Sequence, residues 1–347
     1  NMRNLFVCHT QAHLILASGL AKGRFRNDEN DLILFVDFGI KDELKQRLLS
    51  SFTRCLFLQS IYPAEFNTYS AKLKWYPEDW RQIKTFMSKS YTNVFVVCDT
   101  LLLVQKIMQR AYRMSHNTTF SAIEDGIISY YRNADLHGGF DTNDFTRFIR
   151  RIIVKNLCGV GQFYERDFPD FSGTHAIRRL YVLYPEAVRE PFKSGRLLEK
   201  IEDNEYQVGL KSLYPQSVLP ISSGDIILLM DKLNTYSYPE KVKDVVSAYI
   251  KGNLSLGKRI FCKFHPRETD KWDIFDGCET LDKSIGVESM YLSLADKAKE
   301  VTVVGIKSSG IMSAKKLGFN TLSLFLSCGE ENRELVKFFS LIGIEMI

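Results

Sequence analysis

The sequence predicts an α/β protein built as two doubly wound domains, each a parallel sheet covered by helices. Three observations lead there. Short apolar runs of strand character alternate with helical stretches from the start of the chain, as in successive β-α-β units. The alternation fades between about 190 and 222, where Pro191, Pro215 and Pro220 fall among short polar pieces, and then begins afresh. A chain of 347 residues also exceeds what one ordinary core fills, so two hydrophobic interiors are expected.

The elements follow in order. NLFVC at 4–8 reads as a buried strand, and 9–21 as a helix entered through the polar turn at His9 and Thr10. DLILFVD at 31–37 is a second strand, 41–51 a helix, CLFL at 55–58 a strand, 78–89 a helix, NVFVVC at 93–98 a strand and 101–114 a helix. TTFSAI at 118–123 has the Thr, Phe and Ile of a strand and runs into Glu124-Asp125-Gly126. A glycine-rich polar loop is expected over 135–146. After it, 145–157 reads as an amphipathic helix with Phe145, Phe148, Ile149, Ile152 and Ile153 on one face and Arg147, Arg150, Arg151 and Lys155 projecting elsewhere. LYVLY at 180–184 is a strand. The second half gives strand 225–230, helix 239–251, a strand over Ile260–Phe264 that ends at His265, helix 287–299, strand 300–305, helix 311–317 and a last strand at 321–326. The terminal piece 330–342 is helical.

Composition narrows the function. With 45% hydrophobic and 25% charged residues the chain is that of a globular protein, and no apolar run approaches the roughly twenty residues of a membrane span. The first residues lack the order of a signal peptide, so a cytoplasmic place is expected. Seven cysteines are scattered with no C-x-x-C pair, which argues against a disulfide framework or a zinc site. A net charge of +5 suits an anionic partner. No paired zinc-ligand cysteines or aromatic nucleic-acid signature occur, so nucleic acid is not that expected partner.

Three short motifs carry chemistry. In GKRIFCKFHPRE at 257–268, Pro266 stops the strand and leaves His265 at its carboxyl end, between Lys263 and Arg267, in a field suited to phosphate. Lys307-Ser308-Ser309-Gly310 lies between a strand and a helix, so backbone N–H groups, the helix dipole and two hydroxyls converge on an anion. Glu124-Asp125-Gly126 places two carboxylates at a strand end before a sharp turn. Each has a plain alternative, namely a turn histidine, a serine helix cap and an acidic surface turn. The basic row of 147–155 is equally an ordinary solvated face, or a grip on repeating anions.

Taken together, the acidic motif, the His-Pro pair and the serine pair, in that order, resemble the motifs of bacterial sialyltransferases. KFHPRE and the basic character are most similar to the capsular polysialyltransferases, with the lipooligosaccharide sialyltransferases as near alternatives. The resemblance implies a GT-B fold, with two facing Rossmann-like domains and a cleft between them. These are an acceptor-binding domain over 1–205 and a CMP-sugar-binding domain over 206–330, followed by a C-terminal helical piece, 331–347, packing back on the first domain. It also implies CMP-sialic acid as donor, a sialylated polyanionic glycan as acceptor, inversion at the anomeric carbon and no cofactor or metal. No Asp-x-Asp pair occurs in the chain, which agrees.

Carried over residue by residue, Asp125 becomes the general base, with Glu124 as the alternative, and His265 the group that protonates or hydrogen-bonds the departing phosphate. Pro266, Lys263, Ser308, Ser309 and Gly310 line the donor site, and Glu288 takes the ribose hydroxyls. Arg147, Arg150 and Arg151 are the expected acceptor contacts. The same resemblance implies peripheral association with the inner face of the inner membrane and with other capsule enzymes. The competing readings are transfer of a single sialic acid to a lipooligosaccharide and non-catalytic binding of a polyanion.

Overall fold

The structure, a computed structural model, describes residues 1–36, 39–59, 69–131, 144–265, 268–270 and 272–347. They form two compact units, Asn1–Leu213 and Tyr214–Ile347.

In the first unit, strands β1 (Arg3–Cys8), β2 (Glu29–Val36), β3 (Arg54–Gln59), β4 (Asn93–Val96), β5 (Thr119–Ile123), β6 (Ile177–Val182) and β7 (Leu197–Lys200) form one sheet in the order β3-β2-β1-β4-β5-β6-β7. Every pairing in it is parallel. Helices cover both faces, so β1 and β4 read as unbroken apolar runs rather than as alternation, and Leu5, Phe6, Val7, Val94, Phe95 and Val96 are all buried. Phe6 stacks on Phe95 with centroids 4.5 Å apart, and Phe25 and Tyr181 close on the same pair from the side. The connecting helices are α1 (Gln11–Lys22), α2 (Asp42–Ser51), α3 (Tyr69–Phe86), α4 (Leu102–Met114), α5 (Asp144–Arg151), α6 (Glu190–Lys193) and α7 (Asp203–Leu213).

Helices α1 and α7 meet backbone to backbone. A Cβ on Gly19 would lie 2.3 Å from the Glu205 carbonyl oxygen, and one on Gly209 would lie 2.0 Å from that of Ile15. Only glycine permits that approach, and it fixes how α1 sits over the sheet. Strand order reverses between β1 and β4, so the crevice outside their carboxyl ends is where this topology receives ligands. Buried Asp99, just past β4, accepts hydrogen bonds from Ser172 N (2.7 Å), Thr174 N (2.9 Å) and Arg166 Nη2 (3.0 Å), tying the 165–174 loop to that end of the sheet.

The second unit repeats the plan. Strands β8 (Ile226–Met230), β9 (Ile260–Phe264), β10 (Glu279–Thr280), β11 (Thr302–Gly305), β12 (Asn320–Ser323) and β13 (Glu345–Met346) run parallel in the order β10-β9-β8-β11-β12-β13. Its helices are α8 (Pro239–Ser255), α9 (Val287–Ser293), α10 (Ser309–Lys316) and α11 (Arg333–Leu341). Here the reversal falls between β8 and β11.

Several expectations are corrected. The strand at 321–326 is not the last, because β13 adds to β12 through Leu322↔Glu345 and Ser323↔Met346. Residues 331–347 therefore contribute an edge strand to the second sheet. Strands β7, β10 and β13 are too short, and β10 too exposed, to show an apolar run. The helix expected at 145–157 is present as α5 and a wider-wound turn, Ile152–Leu157, but its apolar side faces outward. Most of the loop expected at 135–146 lies outside the described residues.

Candidate active site

Strand β5 delivers the two carboxylates to opposite environments. The Glu124 N–H donates to the Tyr181 carbonyl (3.0 Å), which prolongs the pairing with β6 and turns the Glu124 side chain inward. Its carboxylate is buried and accepts from Leu183 N (2.8 Å) and from the Tyr130 hydroxyl. Burial first, and Glu124 second, push the Tyr130 hydroxyl well up, so it remains a donor. Glu124 thus anchors the end of β5 to β6, and a carboxylate enclosed in this way is poorly placed to meet a substrate.

Asp125 comes next, before Gly126 at φ +55°, a left-handed conformation that suits glycine. Its side chain keeps 22% exposure, and Oδ1 lies 2.8 Å from Nε2 of His13 on α1. His13 is almost wholly enclosed, and its Nδ1 accepts from the backbone N–H of His9 (3.2 Å) and Thr10 (3.3 Å). The Thr10 hydroxyl in turn accepts from His13 N at 3.2 Å, so Thr10 and His13 form a reciprocal capping box at the start of α1. His9 is buried and stacked on Phe35 at 4.9 Å. Burial, then neighbouring His13, lowers its imidazole to about 3, so it is neutral at any working pH.

In the second unit the donor-type residues gather at the carboxyl end of its sheet. His265 follows β9 and is exposed. It lies within electrostatic reach of Asp231, which follows β8. Asp231 accepts from the Tyr236 hydroxyl (3.2 Å) and from Lys307 N (3.3 Å), while burial pushes its carboxyl up despite those bonds. Ser308 caps α10, its hydroxyl accepting from Gly310 N at 3.2 Å, and Ser309 is exposed on the first turn. Gly310 serves close packing, since a Cβ there would lie 2.9 Å from Leu229 Cδ1 and 3.3 Å from Val287 Cγ1. That contact brings the start of α9 beside α10, with Glu288 in its first turn and its carboxyl raised by burial.

Lys263, expected at the donor site, is engaged within the fold. It is buried, and its ammonium donates to the Asp282 carbonyl at 2.8 Å, supporting the loop that leads into α9. The Lys307 ammonium donates to the Thr235 carbonyl at 2.9 Å. Pro266 and Arg267 lie outside the described residues, as do the side chains of Arg147 and Arg150. Arg151 pairs with Glu165 at 2.8 Å, and Lys155 reaches the same carboxylate at 2.7 Å.

The chain matches the family model for alpha-2,8-polysialyltransferase (POLYST) over residues 4–323. It belongs to that family. No curated protein matches it. Among solved structures it is similar to UDP-GlcNAc 2-epimerase from Methanocaldococcus jannaschii, at 13% identity over 98% of this chain and 92% of that one with a TM-score of 0.54. It is also similar to UDP-GlcNAc 2-epimerase from Neisseria meningitidis bound to UDP-GlcNAc, at 12% identity over 98% and 91% with a TM-score of 0.53. At such identities the likeness speaks for the fold, which is of the GT-B type. This polysialyltransferase-family chain is a glycosyltransferase, a sialyltransferase by family, and takes a sugar-nucleotide donor and a glycan acceptor.

The structure brings Asp125 to His13, and sets Asp231 with His265 and Ser308 at the carboxyl end of one sheet; of these, His13 and Asp231 were not among the residues expected from the sequence. His13 reads as an ordinary polar residue in the first turn of α1. Its signal was Thr10-x-x-His13, a capping-box spacing with histidine where Glu or Gln is usual. Asp231 ends the apolar run of β8 as Asp125 follows that of β5, and strand-end position alone would have marked it.

Proposed function

We propose that this chain moves sialic acid from CMP-sialic acid to a sialylated glycan, with inversion and without a metal, and in doing so extends polysialic acid for a bacterial capsule. The acceptor hydroxyl gives its proton to Asp125 as its oxygen bonds to the anomeric carbon. The bond from that carbon to the CMP phosphate breaks, and the phosphate oxygen takes a hydrogen bond or proton from His265. Ser308, Ser309 and the N-terminus of α10 meet the remaining phosphate charge, and Glu288 the ribose hydroxyls. Arg147, Arg150 and Arg151 attract the polyanionic acceptor.

The observation that carries the reading is the Asp125 carboxylate, partly exposed at a strand end and oriented through one oxygen by a buried imidazole. Glu124, enclosed by Tyr130 and Leu183, is left as its structural neighbour. A general base of this kind contributes roughly 10²–10⁴-fold. Asp125→Asn is therefore expected to lose at least about a hundredfold in turnover while CMP still binds. His265→Ala is expected to lose turnover and CMP affinity together. Incubation with CMP-sialic acid and a labelled sialyl oligosaccharide, in EDTA, should give a ladder of products. A single added sugar would favour the lipooligosaccharide type, and full turnover by Asp125→Asn would remove the base assignment.

The proposed location is the cytoplasm, peripheral at the inner face of the inner membrane beside other capsule enzymes. No helix among the described residues is long and apolar enough to cross a membrane. Support for surface attachment comes from Phe145, Phe148, Ile149, Ile152, Ile153 and Leu157, all exposed along one helix that also carries four basic residues.

A further inference from the structure

We infer that His13 is a positioning residue for Asp125: its Nε2–H holds Oδ1, and two backbone N–H groups lock the opposite ring nitrogen, leaving Oδ2 for the acceptor hydroxyl. The inference rests on the proposed base role of Asp125 and adds the residue that aims it.

At the third position of a helix, a capping box needs only an acceptor for the N-cap backbone N–H, and Glu or Gln ordinarily supplies it. Histidine supplies the acceptor through Nδ1 and still has a second nitrogen across the ring. Because Nδ1 accepts from His9 N and Thr10 N, the ring proton is assigned to Nε2, which points at Asp125 Oδ1 from 2.8 Å. With its lone pair engaged, the imidazole is no rival base.

Burial and the Gly19–Gly209 approach of α1 to α7 hold the ring in place, so its direction is built in before substrate arrives. Its chemistry also matters. In the tautomer that the two backbone donors assign, the ring offers Asp125 a donor without the fixed positive charge that an arginine would bring. Among the described residues Oδ2 has no protein partner. Proton uptake on Oδ2 leaves the His13 bond intact, so the same geometry serves each cycle.

Three variants of the full chain separate aiming from capping. His13→Leu removes cap and donor. His13→Glu restores an acceptor for the cap but offers Asp125 no donor, and His13→Gln restores both. The expected result, with CMP-sialic acid and a short sialyl oligosaccharide, is a kcat reduced by about 10²-fold in Leu and Glu with donor KM unchanged, and largely recovered in Gln. Equal recovery by Glu and Gln would make His13 a cap only and overturn the inference. Imidazole 15N spectra of the wild-type chain supply a test that needs no variant to fold. A bare Nδ1 with protonated Nε2 is expected, and the opposite tautomer would also overturn it. If Asp125→Asn turns over normally, the base reading fails. If Asp125→Asn is inactive while both His13→Leu and His13→Glu are fully active, only the aiming role fails.

Discussion

Asp79 shows what an uncompensated carboxylate does to one helix. It is 3% exposed on α3, and among the described residues its Oδ2 has no hydrogen-bond partner. Burial, then neighbouring Glu78, pushes its carboxyl up to about 6. The folded chain therefore holds this proton more tightly than the unfolded chain does. Its contribution is complete below the ordinary aspartate range near 4 and is lost as pH rises through about 6. The loss is about 3 kcal/mol. Asp79→Asn is expected to raise Tm above pH 7 by roughly 6–12 °C and to flatten the Tm profile between pH 4 and 7. Identical profiles for the two proteins would show that water or a shift of α3 already compensates the charge. Asp79 was not legible beforehand, because Glu78-Asp79 reads as any acidic helix surface. Asp125 and His265 were legible because each sits where an apolar run stops, a position that residue order reveals.

At the scale of elements, strands and helices of the two sheets were legible wherever an apolar run was long enough to be buried on both faces, as in β1, β4 and β8. What residue order did not reveal is orientation. The helix over α5 and Ile152–Leu157 has the expected amphipathic pattern, yet Phe145 is 71%, Phe148 58% and Leu157 79% exposed. Its Arg151 and Lys155 instead turn toward Glu165. An apolar face on a helix that carries four basic residues fits the boundary of an anionic bilayer. The full chain is therefore expected to co-sediment with phosphatidylcholine vesicles containing phosphatidylglycerol. Phe148→Asp combined with Ile152→Asp is expected to weaken that at least about tenfold, with turnover of a short soluble acceptor preserved. Unchanged vesicle binding by the double variant would move the attachment elsewhere.

On the scale of the whole molecule, the repeated order of each sheet follows from β-α-β units that begin twice, and the break after Leu213 follows from a contact no local pattern announces. Gly209 lets α7 lie against α1, which keeps 203–213 with the first unit although the periodicity has already faded there. Charge is likewise a property of the whole. The chain carries 46 basic and 41 acidic residues, a net charge of +5, too modest to capture a polyanion except where the basic groups cluster. A polymerising enzyme with such a cluster should hold long acceptors by many weak contacts and short ones by the reaction centre alone. Salt separates these modes, because the screening length is about 10 Å at 0.1 M and shortens further above it. Raising NaCl from about 50 to 300 mM is expected to increase KM for a long sialyl oligomer at least about threefold, and for a trimer by less than about twofold. Arg147→Ala, Arg150→Ala and Arg151→Ala together should narrow that difference. Parallel salt slopes for long and short acceptors would mean that the chain grips only the end of the glycan, and that product length is set by the rate of release from the reaction centre.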